Sequence, residues 1–257
     1  MRVTMVNYFS TIKVYLKYYF AYPLNVFIKL IYVPVQLYIM YFLWQTLSEY
    51  QTLDINYLMN YYLLAFLILY SYPYLHIASE VNEDILSGVL SNYLVRPISF
   101  ITPKLSKFIS WMLMYSIVIF IALTYIAFQN NISFLRILQF LILMTIGLLI
   151  EFHIWFLIGL LAFYIGKVRG IMILTGSLRS LLSGSLIPLS LFPEWSMGIL
   201  QFSPFRFFLY TPVNFLLTDS VSFSSELLSA LICLIVLLLL EKIIWKSGSK
   251  LYNNSMS

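Results

Sequence analysis

Residues 80–103, EVNEDILSGVLSNYLVRPISFITP, form the longest polar and charged interruption between strongly apolar stretches of the chain. Glu80, Glu83 and Asp84 open it, and Arg96, Lys104 and Lys107 close it just before the next apolar run. Ile85, Leu86, Val89, Leu90, Tyr93 and Leu94 recur at helical spacing, which predicts a short amphipathic helix over 80–97. Its acids would lie near the N-terminus and Arg96 near the C-terminus, the order that suits the helix dipole. Pro97 stops it, and Gly88 leaves one point without a side chain. Such a helix is too polar for lipid. It belongs at the water boundary, where another protein can press on it.

The surrounding sequence gives this segment its meaning. Of 257 residues, 61% are hydrophobic and 10% charged, and mean hydropathy is +0.90. A soluble domain carries about 25% charged residues, and a water-borne globule of this composition would expose large apolar areas. The solvent is therefore mostly lipid. A helical span needs about 20 apolar residues. We place spans at roughly 24–47, 57–79, 105–128, 134–165, 171–190 and 226–245, in a single transmembrane domain over 1–257. The expected fold is an all-α integral membrane bundle of six transmembrane helices.

Outside the spans, residues 5–22 read as an interfacial helix: Asn7, Ser10, Lys13 and Lys17 share one side, and aromatic and aliphatic residues cover the rest. Lys13 and Lys17 break the first apolar stretch, so it does not read as a cleavable leader. Residues 191–224 hold Pro193, Pro204 and Pro212 among Phe and Trp. They are too broken to span and too apolar to float, which fits a pair of re-entrant half-helices. The tail from Lys246 is polar, and the lone Cys233 excludes an intrachain disulfide.

Lys and Arg set the orientation. Arg2, Lys13, Lys17, Arg96, Lys104, Lys107, Lys167, Arg169, Lys242, Lys246 and Lys250 fall on one side, against Arg136 and Arg206 on the other. Both termini, the 80–97 helix and the 166–170 turn are then cytoplasmic, and 191–224 is extracellular. The net charge of +5 is read as this topological signal, not as nucleic-acid binding.

The pattern Glu83–Asp84–Ile85, Gly88, Leu90 and Tyr93–Leu94–Val95–Arg96–Pro97 resembles the first cytoplasmic loop of ABC-2-type permeases, most like the viologen-exporter-like branch. The patch Ser183 to Trp195, followed by Ser203–Pro204–Phe205 and Tyr210–Thr211–Pro212, is similar to the segment before the last span of that family. The resemblance covers essentially the whole chain. It implies a permease subunit of an exporter in the plasma membrane, paired with a second permease, identical or a sister, and driven by a separate ABC ATPase. ATP and magnesium would sit on that ATPase, and no cofactor or metal on this chain. The 80–97 helix becomes the coupling helix, with Glu83, Leu86, Gly88, Leu90, Leu94, Arg96 and Pro97 at the ATPase contact. Ser87 and Val89 flank Gly88 where many relatives carry basic residues.

Other residues stand out on physical grounds. Glu151 and Arg179 lie deep in apolar runs. A charge at the bilayer centre costs about 2.5–3.5 kcal/mol, so each needs a partner or a polar cavity. They read either as a buried ion pair or as pathway residues. His153 lies two positions from Glu151, on a different side of the helix, and reads as a hydrogen-bonding group within the bundle. Gly176, Ser180 and Gly184 form a small-residue stripe for close helix packing, within the subunit or between subunits. There is no phosphate-binding Gly-x4-Gly-Lys loop, no HExxH and no GxSxG motif. Two rivals remain at this stage: a stand-alone secondary transporter or channel, and an integral membrane enzyme acting on lipids.

Overall fold

The computed structural model describes residues 8–21, 23–49, 53–71, 74–95, 99–219 and 221–256. All regular structure among them is helical. In chain order the α-helices are α1 (Tyr8–Ala21), α2 (Pro23–Ser48), α3 (Ile55–Tyr70), α4 (Tyr74–Leu86), α5 (Leu90–Val95), α6 (Ile101–Gln129), α7 (Phe134–Leu160), α8 (Ala162–Ile165), α9 (Arg169–Leu182), α10 (Glu194–Leu200), α11 (Tyr210–Leu217) and α12 (Phe223–Met256). Two 3-10 turns, Leu189–Leu191 and Pro204–Phe208, lie between α9 and α11.

Lipid dictates the long elements. Without water, every backbone polar group must bond within its own helix. Among the described residues, three helical stretches are long and apolar enough to cross a membrane: Ile101–Gln129, Phe134–Ile165 and Phe223–Asn254. α3 is apolar but shorter. Among the described residues, side-chain caps start three of the helices, and before α12 Ser222 accepts from the Ser225 amide at 3.4 Å. Asp54 accepts from the Tyr57 amide at 3.0 Å, and Ser133 accepts from the Arg136 amide at 3.4 Å.

α7 is the central element, packed against α12, α4, α11 and the Pro204–Phe208 turn. Two glycines let its neighbours approach. A Cβ on Gly147 would lie 1.9 Å from the Phe207 carbonyl oxygen, and one on Gly159 would lie 2.5 Å from the Val81 Cβ on α4. α1 packs along α6, where Ser110 Oγ donates to the Ile12 carbonyl at 3.3 Å. α2 packs on α3 and carries Pro34 in its interior.

The helices differ from the expected spans at four places. The stretch expected at 57–79 divides, because α3 ends at Tyr70 and Ser71 folds its hydroxyl back on the Ile68 carbonyl at 2.7 Å. The single helix expected over 80–97 is two. Glu80, Glu83 and Asp84 end α4 instead of opening a helix, and Gly88 turns the chain with φ +83° before α5. α9 stops at Leu182, short of the expected 190 and of the length that crosses a bilayer upright. The span expected at 226–245 runs on through the polar tail, as α12 continues to Met256, its exposed polar residues costing a surface helix little. The 191–224 stretch is a run of short helical pieces, α10, the Pro204–Phe208 turn and α11.

Candidate functional site

At one end of the bundle α4 and α5 form an elbow at Gly88. A φ of +83° suits glycine, since other L-residues meet their own carbonyl there. Ser91 closes the turn, its amide and its hydroxyl both donating to the Gly88 carbonyl, at 3.1 and 2.7 Å.

Two ion pairs hold the elbow to α6. Glu80 and Asp84 are four residues apart and share a face of α4. Lys104 Nζ lies 2.7 Å from Asp84 Oδ2, and Lys107 Nζ lies 2.7 Å from Glu80 Oε2. The Lys104 side chain is 1% exposed, and its ammonium also lies 4.0 Å from the Phe100 ring centroid. Carboxylate and ring together replace the water it has lost. Tyr93 stacks edge-on against Phe100 at 5.2 Å. Burial first, then the Asp84 and Glu80 carboxylates, push its phenol above the ordinary value, so it stays neutral.

The elbow also touches the 166–170 turn. Asn82 Nδ2 donates to the Gly166 carbonyl at 2.8 Å. The two segments that the charge pattern places on one membrane face are thus in direct contact. Neither this bond nor the Lys–acid pairings follow from either segment alone. The i,i+4 acids and the i,i+3 lysines were the available signal.

The expected docking residues are rearranged. Leu86 and Leu94 are exposed, together with Val89 and Val95, the last at 87%. Leu90, expected on the same stripe, is 0% exposed and belongs to the core. The Gly88 turn resets the helix phase, so spacing by four across it no longer marks a face. Glu83 is exposed and accepts from Ser79 Oγ at 3.0 Å. Arg96 and Pro97 lie outside the described residues.

In the bundle interior, Arg179 Nε donates to Glu151 Oε1, joining α9 to α7. The side chains are 1% and 0% exposed. Trp155 Nε1 donates to the same oxygen at 2.8 Å, and the guanidinium lies 4.3 Å from the Phe208 ring centroid. The contact is closed to solvent. His153 Nδ1 meets Glu241 Oε2 at 2.6 Å and ties α7 to α12.

Gly176 and Ser180 sit on α9, where Ser180 Oγ donates back to the Gly176 carbonyl at 3.0 Å. Gly184 does not continue their stripe. It lies past the helix end with φ +81°, and a Cβ there would fall 2.5 Å from the Tyr61 hydroxyl. Tyr61 donates to the Gly184 carbonyl at 2.8 Å and Tyr62 to the Leu186 carbonyl at 2.9 Å. The Tyr210 amide donates to the Ser183 carbonyl at 3.1 Å. Gly184 therefore docks the broken 183–217 region on α3.

At the opposite end, the two arginines expected outside are each matched by an acid. Arg136 pairs with Asp219, and Arg206 Nη1 lies 2.9 Å from a Glu226 carboxylate oxygen. Among the described residues, no group of three or more His, Cys, Asp or Glu is placed to hold a metal.

Lipid-scale apolar helices around a sealed ion pair, with charged residues paired at the ends, define a helical-bundle membrane protein. A family profile described as ABC-2 family transporter protein matches residues 14–255, and the chain belongs to that family. Membership implies partnership with an ABC ATPase in general terms. Comparison with curated proteins finds no match.

Proposed function

We propose that this chain is the transmembrane permease subunit of an ATP-driven exporter, with six spans, both termini in the cytoplasm, and ATP and magnesium bound on a separate ATPase. It works beside a second permease, identical or a sister, in the plasma membrane. One observation supports this reading above the others. The Gly88 elbow is bolted to α6 by Lys104–Asp84 and Lys107–Glu80, and to the 166–170 turn by Asn82–Gly166, while Leu86, Val89, Leu94 and Val95 stay exposed.

A push on that apolar surface reaches several membrane helices at once. α4 leads toward α3, α6 begins at the lysines, and α9 follows the turn. The partner is an ATPase with a groove for a short helix, a helix-in-groove contact. Substrate moves outward by alternating access between two permeases. The exposed apolar face of α9, with Ile173, Leu174, Leu178 and Leu181, is the surface we assign to the second permease, beside Gly176 and Ser180.

The secondary-transport reading needs an ion-coupling group in the spans. Glu151 and Arg179 are its candidates, and they neutralise each other in a closed contact. Reconstitution separates the readings. The chain with its ATPase is expected to move substrate only with hydrolysable ATP. Full transport by the chain alone, driven by a proton gradient, would refute the proposal.

A further inference from the structure

A cavity of about 810 Å³ lies between the 197–214 region and the first half of α12. That is within the size range of small-molecule sites, about 300–1,000 Å³. Its wall on α12 is a single stripe, Glu226, Ser229, Ile232, Cys233, Val236 and Leu237, at helical spacing. From Glu226 to Leu237 the stripe runs about 16 Å along the axis.

The stripe changes character along its length. At one end Arg206 and Glu226 face each other at 2.9 Å, with Thr211 beside them. Arg206 Nη1 also reaches Thr211 Oγ1 at 3.4 Å, and its guanidinium lies 4.4 Å from the Phe207 ring centroid. At the other end the stripe is aliphatic. Ile232 and Val236 are about half exposed, so the apolar end opens sideways from the chain. Only 11% of the apolar window of α12 is buried. In a membrane protein this opening faces hydrocarbon.

A cation and an anion side by side make the polar end neutral as a whole. A net anion there meets the Glu226 carboxylate, and a net cation meets the Arg206 guanidinium. A head carrying both charges satisfies both. We propose that this cavity binds a zwitterionic amphiphile, its head at Arg206 and Glu226 and its apolar chain along Ile232, Val236 and Leu237. The site does not depend on ATP-driven transport, because binding is read on the chain without any ATPase.

The two sources of such a ligand are a bilayer phospholipid and a free single-chain amphiphile. The test uses the full chain, one copy per disc, in nanodiscs of phosphatidylglycerol. Cys233, the only cysteine of the chain, lines the cavity and reports occupancy through its rate of labelling by N-ethylmaleimide. Lysophosphatidylcholine is added to one sample, and phosphatidylcholine is blended into another. Native mass spectrometry counts retained lipid in parallel, should the thiol label slowly.

The expected result is at least fivefold slower labelling and one zwitterionic lipid retained per chain. Protection by lysophosphatidylcholine alone identifies a free amphiphile, and protection by both identifies a bilayer lipid. Ser229→Trp, which fills the cavity, abolishes retention. Glu226→Gln leaves a lone cation, so its preference shifts to phosphatidylglycerol. The proposal is overturned if neither zwitterion is retained or protects, or if Ser229→Trp retains it unchanged. It is also overturned if Cys233 is shielded only in discs holding two copies, which would assign the cavity to a second subunit.

Discussion

Removing one half of the Glu151–Arg179 pair tests how much of the bundle depends on it. Glu151→Gln keeps the size of the side chain and an oxygen that accepts from Trp155, but removes the carboxylate charge that the guanidinium faces. The side chains are 0% and 1% exposed, so solvent screening does not soften the loss. Breaking a buried pair costs about 3–5 kcal/mol. The Phe208 ring under the guanidinium returns part of that, at about 1–2 kcal/mol for a desolvated contact. The expected net cost is about 1–4 kcal/mol, which combines these two terms. At about 2–4 °C per kcal/mol for a chain of this size, the unfolding midpoint falls by about 2–16 °C. Arg179→Met strands the carboxylate and costs a similar amount. The double variant Glu151→Gln/Arg179→Met removes both charges and should recover most of the loss, since neutral replacement of a buried pair is near balance. The assay is thermal unfolding in nanodiscs of fixed lipid composition, read as a double-mutant cycle. Midpoints within a degree of the parent for both single variants, or strictly additive losses, would refute the pairing argument.

The Gly88 elbow separates backbone strain from partner contact. Gly88→Val places a β-branched residue at φ +83° and costs about 1–2 kcal/mol in stability, while Gly88→Asn tolerates that conformation. If the ATPase backbone docks there, both variants lose ATP-dependent export with membrane insertion intact; normal export by Gly88→Asn would limit the role of Gly88 to its backbone. Gly147→Ala forces a Cβ against the Phe207 carbonyl and should destabilise the chain by about 1–3 kcal/mol, measured by the unfolding midpoint. Asn82→Ala removes the bond to Gly166 and should uncouple ATP hydrolysis from export while leaving the folded amount unchanged. Asp84→Asn keeps an oxygen for Lys104 but takes away the paired charge, and a midpoint lowered more than by Glu80→Gln, whose pair is about one-third exposed, is the expected order.

Apolar length was the most readable signal. The runs that became α6, α7 and α12 stood out because lipid forces long uninterrupted helices. Glu151 and Arg179 were noticed for the same reason, as charges where lipid penalises them. The breaks were harder. Ser71 and Gly88 each end a helix inside sequence whose periodicity runs on, and a backbone of positive φ leaves no mark on hydrophobic spacing. Leu90 was misassigned for that reason: the stripe through Leu86, Leu90 and Leu94 exists only if the helix is continuous. Gly184 fits a small-residue stripe in sequence, while its structural role is set by Tyr61, 123 positions earlier in the chain. The Lys104–Asp84 and Asn82–Gly166 contacts depend on how separate helices meet, which no local pattern records.

α12 is an unbroken rod with no proline along its 34 residues. At 1.5 Å per residue it is about 50 Å long, against about 30 Å of hydrocarbon, so it reaches well past the bilayer core. A stiff beam of that span transmits leverage: a tilt of about 5° carries one tip about 4 Å relative to the other. Its far end is gripped by Phe163 against Gly248, while its near half forms the wall beside Arg206. Motion at either extremity therefore arrives at the other as geometry, without any relay of side chains between.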